Sequence, residues 1–118
     1  MVKQRVRGST TGRPIMALLD LLGRRWVLRL VWELREQPRR FRELQDAIGA
    51  SPTIVNARLA DLREAKLVEL DPESGYRLTA LGSELLRLFL PLHAWSGKWA
   101  KAVRPALEDR EKRQRERP

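Results

Sequence analysis

The stretch RRFRELQDAIGASPTIVNARLADL, residues 39–62, contains two groups of side chains that could bind a polyanion. It opens with Arg39, Arg40 and Arg42, and a guanidinium group grips phosphate oxygens in a planar fork. Thr53 and Asn56 follow, and both side-chain types can hydrogen-bond the edges of nucleobases. These residue types favour phosphate binding at one point and base recognition at another.

The same stretch also fits a structural role, because apolar residues recur in it at helical spacing. A first helix would bury Phe41, Leu44 and Ile48, and a second would bury Val55, Leu59, Leu62 and the stem of Lys66. Taken alone, the second helix favours solvated polar residues over a reading surface. The arginine cluster reverses that preference, because the start of a helix attracts anions through its amide groups and dipole.

Two helices must precede the arginine cluster. The first is predicted to begin at Pro14 and to end at Gly23, with its apolar residues on one face. A second apolar stripe follows at once, and Pro38 ends it. Residues 39–41 are predicted to form a short strand. Residues 1–13 are polar and basic, so they are predicted to be a flexible arm.

The third and fourth helices are predicted to form a tight corner. The third ends at Gly49, which suits a left-handed cap. Ser51 supplies an N-cap oxygen and Pro52 fits the first helical position, so the fourth helix is predicted over residues 52–65. Two such helices followed by a hairpin describe a winged helix-turn-helix, a mainly α fold with a small β-hairpin.

A hairpin and a long helix complete the predicted domain. Strands at 67–70 and 76–79 are joined by a five-residue loop rich in turn formers. In the long helix that follows, the apolar stripe is wider than one packing surface needs, which implies an additional partner. Pro91 is predicted to kink or split this helix. The folded domain is predicted over 14–104, with a charged tail at 105–118.

Composition narrows the classes of function. Of the 24 basic residues, 19 are arginine, and the net charge of +9 with a pI near 11.2 favours a polyanionic partner. Arginine enrichment by the base composition of a genome would explain the same numbers, so composition leaves both interpretations open. The absence of cysteine excludes disulfides, thiolate metal sites and thiol redox sensing. No long apolar run or signal peptide is present, so the predicted location is the cytoplasm, without a membrane partner.

Catalytic and cofactor motifs are missing from the sequence. It contains no glycine-rich phosphate loop, no Gly-x-Ser-x-Gly and no histidine triad, so we predict neither enzymatic activity nor a cofactor. His93, the single histidine, is interpreted as a structural or interface residue rather than a metal ligand. The four tryptophans leave two interpretations, core and interface packing, which is favoured, or a small-molecule effector pocket between subunits. They are Trp26, Trp32, Trp95 and Trp99.

Several ordered motifs resemble those of the HxlR-type winged-helix transcription regulators, which are relatives of the MarR regulators. The resemblance covers roughly residues 13–100. The motifs lie in GRPIMALLDLLGRRW, in PRRFRELQDAIGASPTIVNARLADLREAKLVE and in YRLTALGSELL, with AW further on. The resemblance implies a homodimeric DNA-binding repressor or activator. It also implies that the first and last helices form the dimer and that the fourth helix enters the major groove.

The sequence departs from the family pattern at four points. Arg13 stands where members that sense oxidants carry a cysteine. Lys66 stands where a glycine is expected at the end of the recognition helix, so a left-handed cap there would cost about 1 kcal/mol. The hairpin loop is short and carries Asp71 and Glu73, which disfavours close phosphate approach. Ala57 stands where relatives often carry a basic side chain, which reduces base-reading capacity.

The favoured hypothesis is a dimeric, sequence-specific transcription regulator of double-stranded DNA, with repression favoured, that reads a pseudo-palindromic operator and is nucleoid-associated. Base readout is predicted for the fourth helix at Thr53, Ile54 (on a thymine methyl), Asn56 and Ala57. Phosphate contacts are predicted for Arg39, Arg40, Arg42, Ser51, Arg58 and Arg77. The homodimer interface is predicted at Ile15, Leu18, Leu19, Leu22, Leu88, Leu92, Trp95 and Trp99. Two rivals stay open: a winged-helix protein-interaction module and a charge-driven, non-specific nucleic-acid binder.

Overall fold

The computed structural model describes residues 13–116, in which five helices and one antiparallel hairpin follow one another. They are α1 (Pro14–Leu22), α2 (Val27–Glu33), α3 (Phe41–Ile48), α4 (Pro52–Glu64), β1 (Val68–Asp71), β2 (Gly75–Leu78) and α5 (Ala80–Arg115). This confirms the predicted fold class. The chain divides into two compact units, one ending at Leu86 and one beginning at Arg87. Most of the predicted N-terminal arm, residues 1–12, and the last two residues of the predicted tail lie outside the described residues.

The core of the first unit is apolar and draws on every element from α2 to the start of α5. Burying one valine, leucine or isoleucine side chain contributes about 1.5–3 kcal/mol to the stability of the fold. Among the residues that the structure describes, no charged side chain lies in this core. Its members are Val27, Leu30, Val31, Leu34, Leu44, Ile48, Val55, Leu59, Leu62, Leu67, Val68, Tyr76 and Leu86.

The corner between α3 and α4 forms as the sequence predicts. Gly49 ends α3 with a φ of 71°, in the left-handed region that glycine adopts without strain. Ser51 precedes α4 in an extended conformation, and its Oγ accepts the N–H of Ile54 at 3.3 Å. Pro52 occupies the first helical position, where a missing N–H costs nothing.

The end of α4 differs from the prediction. The helix stops at Glu64 and Lys66 is exposed, so the predicted packing of the Lys66 stem against the core is wrong. Lys66 instead adopts a φ of 64°. The N–H of Leu67 bonds the carbonyl of Leu62 at 3.0 Å, and the N–H of Lys66 bonds that of Arg63 at 3.0 Å. These two bonds are the Schellman ending that usually has glycine at the left-handed position, so lysine takes this conformation at a steric cost.

The hairpin turn is tighter than predicted. Asp71 pairs with Gly75, so three residues join the strands and the predicted five-residue loop is wrong. The Asp71 carboxylate causes the difference, because it accepts the backbone N–H groups of Glu73 at 2.7 Å and Ser74 at 3.1 Å. Gly75 has a φ of 99°, and a Cβ there would lie 2.5 Å from the carbonyl oxygen of Arg39.

The predicted strand at residues 39–41 reduces to a single bridge, because α3 begins at Phe41. Arg39 and Tyr76 exchange two backbone hydrogen bonds of 2.9 and 2.8 Å, which fix the hairpin beside the start of α3. The predicted split at Pro91 is not found, because α5 continues through Pro91 and Pro105 to Arg115. The domain boundaries predicted at residues 13 and 105 stay predictions.

Candidate nucleic-acid interface

The outward face of α4 carries small and polar side chains with no internal partners. Val55, Leu59 and Leu62 turn into the core, and the predicted readers Thr53 and Asn56 are exposed. Within residues 13–116, the side chains of Thr53 and Asn56 make no hydrogen bond, so their polar groups can serve a ligand. This face is narrow enough for a major groove about 12 Å wide. The two other predicted readers, Ile54 and Ala57, are 45% exposed and half-buried, respectively.

The three arginines at the start of α3 have different surroundings. Arg42 is exposed, and its guanidinium forms no hydrogen bond or ion pair with any other described residue. Arg40 is exposed too, but its guanidinium donates to the carbonyl of Glu73 in the hairpin turn. Arg39 is half-buried and its Nε donates to the carbonyl of Glu33 at 3.3 Å. Only Arg42 is therefore unengaged, whereas Arg39 contributes to the link between α2 and α3.

Ser51, a predicted phosphate contact, is exposed at the start of α4. Its hydroxyl oxygen accepts the cap hydrogen bond from Ile54, so its O–H remains available to donate. The first amide groups of α4 lie beside it, and the positive end of the helix dipole favours an anion there.

The predicted phosphate contacts Arg58 and Arg77 both carry intramolecular ion pairs. The Nε of Arg58 lies 3.2 Å from Oδ2 of Asp61, whose Oδ1 lies 3.1 Å from Arg24. Both facing atoms of the Arg58–Asp61 pair are buried, and they approach without hydrogen-bond geometry. One carboxylate thus serves two guanidinium groups, and one of them, Arg24, lies between α1 and α2. Sequence reasoning missed Asp61, although its position three residues after Arg58 on one helix face was a usable signal.

Arg77, the predicted hairpin contact, lies among carboxylates. It is paired with Glu69 in the strand register, and its Nη2 lies 3.6 Å from Oε2 of Glu69. Its Nη1 lies 3.3 Å from Oδ2 of Asp71. The backbone N–H groups of Ser74 and Glu73 hold the pKa of the Asp71 carboxyl below its ordinary value, so this carboxylate stays ionised to a lower pH than an ordinary aspartate. A phosphate that approaches Arg77 must compete with two carboxylates that are already in place.

Large apolar side chains are exposed on two helices. On α1, Ile15 and Leu19 are each 54% exposed, and Leu18 and Leu22 are half-buried. On α5, apolar residues of the second unit continue at helical spacing and about half or more of each surface is exposed. They are Leu88, Leu92, Trp95 and Trp99. An apolar stripe of this size is typical of a surface that another chain covers.

The tryptophans of the first unit lie beside cations. The Cζ atom of Arg25 lies 4.6 Å from the ring centroid of Trp26, and the Cζ atom of Arg35 lies 4.1 Å from the ring centroid of Trp32. Both rings also pack partly against the core.

No group of three or more side chains that could hold a metal ion occurs between residues 13 and 116. Over the same residues, no helix is long and apolar enough to cross a membrane.

The comparison with protein families agrees with this geometry, since the model of the HxlR-like helix-turn-helix matches residues 21–104. The chain belongs to the HxlR-like helix-turn-helix family. This confirms the resemblance seen in the sequence motifs. The protein is a transcriptional regulator of HxlR type with a winged helix-turn-helix DNA-binding domain.

Two relatives of the chain are bacterial transcription regulators. The HTH-type transcriptional regulator YodB of Bacillus subtilis is 29% identical over 99 residues, which cover 78% of this chain and 88% of YodB. The uncharacterised HTH-type transcriptional regulator sll1512 of Synechocystis sp. is 30% identical over 93 residues, which cover 73% of this chain and 69% of that protein.

Two solved structures show the same architecture. The crystal structure of quinone-bound YodB superposes with a TM-score of 0.67 at 31% identity, over 73% of this chain and 98% of that chain. A possible HxlR family transcriptional factor from Thermoplasma volcanium also gives a TM-score of 0.67, at 26% identity, over 75% of this chain and 86% of the other.

Proposed function

We propose that this HxlR-type regulator is a homodimer that binds a pseudo-palindromic operator with α4 in the major groove. The exposed face of α4 carries the proposal, because Thr53 and Asn56 are free of internal partners and stand at the end of a tight corner. A threonine hydroxyl can bond a base or a phosphate, and an asparagine amide can bond an adenine edge through two hydrogen bonds. Ile54 and Ala57 complete the reading face.

Phosphate binding fixes the orientation of α4 in this proposal. Arg42 is the principal contact, since its guanidinium has no internal partner among the described residues, and the exposed Arg40 must first release the carbonyl of Glu73. Ser51 adds a hydroxyl at the start of α4. Arg39, Arg58 and Arg77 are secondary contacts, because each must leave or share an intramolecular partner. These contacts set affinity and register and carry little sequence information.

The exposed apolar residues of α1 and α5 form the dimer interface in this proposal. Two recognition helices related by a twofold axis would then lie about 34 Å apart, one turn of the duplex. Repression is the direction of regulation that we propose, because a dimer on its operator blocks other proteins from the same DNA. The protein would act in the cytoplasm, associated with the nucleoid, and the proposal includes no catalytic step.

Selection from random duplexes at roughly 0.15 M salt tests the proposal. We expect enrichment of two inverted half-sites separated by one helical turn. Replacing Asn56 by alanine should erase discrimination at one or two base pairs in each half-site, at about 1–3 kcal/mol per pair. An unchanged profile for the Asn56→Ala variant would show that the readout assignment is wrong. Enrichment of isolated half-sites would contradict the dimer.

A protein-interaction module is the second candidate, and the acidic hairpin turn is the observation that favours it. In that case the selection should return no enriched duplex, although the protein is folded. A non-specific binder would give a featureless profile and lose affinity by a few hundred millimolar salt.

The half-exposed Trp95 and Trp99 support a further, separate proposal, a small-molecule effector site at the dimer interface. Screening for ligand-dependent changes in tryptophan fluorescence tests it.

A further inference from the structure

One large apolar side chain projects from the beginning of α4. Ile54 is 45% exposed, although it lies in the first turn of the helix that is proposed to enter the groove. Its backbone N–H donates to the Ser51 hydroxyl oxygen at 3.3 Å, and this bond anchors the first turn of the helix. An isolated exposed isoleucine is ordinary on a protein surface. Its neighbours on the helix give this one a specific meaning.

The flank of α4 that carries Ile54 has apolar side chains in the first two turns of the helix, at Ile54 and Ala57. Ala57 lies about 60° from Ile54 around the helix, three residues further on. Arg58 follows Ile54 by four residues on the same flank, but its guanidinium is held by Asp61 at 3.2 Å and the side chain is 28% exposed. The arginine nearest to Ile54 on this flank is therefore turned to a carboxylate of its own helix. Ile54 and Ala57 are left as a surface of methyl groups, which we name the Ile54 edge.

The exposed side chains in the first two turns of α4 carry no positive charge. They are Pro52, Thr53, Ile54 and Asn56. Guanine is read in the major groove mainly by arginine or lysine, which donate two hydrogen bonds to its O6 and N7 atoms. Adenine is read by asparagine, and thymine presents a C5 methyl group that favours apolar contact. These four exposed side chains thus have the chemistry for an A·T pair and lack that for guanine.

We propose that the Ile54 edge is a binding site for the C5 methyl group of thymine, so that each half-site contains an A·T pair at this position. The inference rests on the proposed function, since it requires α4 in the major groove. It adds the class of base that the helix selects and the atom that it recognises. Uracil differs from thymine only by this methyl group, so replacing thymine by uracil removes the recognised atom and leaves the Watson–Crick pair intact.

The test uses the full chain and the duplex obtained by selection, with each thymine replaced in turn by deoxyuridine. For the wild type, one thymine in each half-site should be sensitive, with about a fourfold loss of affinity, the value expected for one buried methyl group. In the Ile54→Ala variant, the same replacement should have no effect. Its affinity for the unmodified duplex should equal that of the wild type for the uracil duplex. Ile54→Val, which keeps a branched side chain, should retain most of the sensitivity.

Leu107→Ala is the matched control, because Leu107 is 44% exposed and lies on α5, outside the reading helix. It should retain the wild-type ratio between thymine and uracil duplexes. The inference is overturned if no thymine is sensitive in the wild type, if Ile54→Ala stays sensitive, or if selection enriches only G·C pairs opposite the first turns of α4. In each of these cases sequence-specific binding still stands, whereas a selection without any enriched duplex refutes the proposed function itself.

Discussion

Replacing Gly82 by alanine should destabilise the first unit, because this residue permits a close approach between α5 and the segment that leads into β1. A Cβ at position 82 would lie 2.0 Å from the carbonyl oxygen of Leu67 and 3.0 Å from its carbonyl carbon. Neither atom can move freely, since the same oxygen accepts the N–H of Thr79 at 3.0 Å. The Thr79 hydroxyl in turn accepts the N–H of Gly82 at 3.0 Å and donates to the carbonyl of Lys66 at 2.7 Å. An added methyl group must therefore displace α5 or break these bonds.

The magnitude follows from three effects. Forcing a methyl group into a packed contact costs about 1–3 kcal/mol. Loss of one backbone hydrogen bond adds about 1 kcal/mol, and the better helix propensity of alanine returns about 1 kcal/mol. We therefore expect the free energy of unfolding to fall by about 2 kcal/mol. Gly97 provides the control, because it lies in the same helix with no atom within 4 Å of an added Cβ. Gly97→Ala should be stabilising by about 0.5–1 kcal/mol.

Urea unfolding followed by circular dichroism measures both changes. For an m-value of about 2 kcal/mol per molar, Gly82→Ala should lower the midpoint by about 1 M, and Gly97→Ala should raise it slightly. All samples must have the same protein concentration, since self-association would contribute to the apparent stability. The opposite signs separate close approach from helix propensity. A neutral or stabilising Gly82→Ala substitution would refute the close packing of α5 against Leu67.

Three further predictions concern α4 and the two elements beside it. Lys66→Gly should raise the free energy of unfolding by about 1 kcal/mol in the same urea assay, because glycine adopts the left-handed conformation without a steric cost. Asp71→Ala should destabilise the hairpin at neutral pH. Its difference in stability from the wild type should disappear on acidification. The N–H of Ser74 is the chief cause that holds the pKa of Asp71 below its ordinary value of 3.8 in the folded protein. The ionised carboxylate therefore stabilises the fold above pH 3.8, and this stabilisation is lost as the pH falls through the lower folded-state pKa. Arg42→Gln should lower the slope of log affinity against log salt by about 0.9 per subunit. Arg58→Gln should lower this slope less, since Asp61 already neutralises Arg58. Equal slopes for the two variants would contradict this ranking.

The sequence determined most of the secondary structure, because the signals that start and end these elements act over a few residues. Ser51 and Pro52 start α4, and Gly49 ends α3, as the local chemistry of caps requires. The errors also arose locally. Asp71 tightens the hairpin turn with two side-chain hydrogen bonds, which a count of turn-forming residues does not reveal. At Lys66, the Schellman ending formed without the glycine that usually marks it.

The sequence also determined which face of α4 is exposed, since helical periodicity separates Thr53 and Asn56 from the buried residues. Only the tertiary structure decided which basic side chains are free to meet a phosphate. Arg40 reaches the turn 33 positions away, and Arg24 meets the carboxylate of Asp61 from another helix. Arg42 has neither kind of partner among the described residues. The physical reason is that ion pairing depends on distances of a few ångströms, and folding sets these distances between groups that lie far apart in the chain.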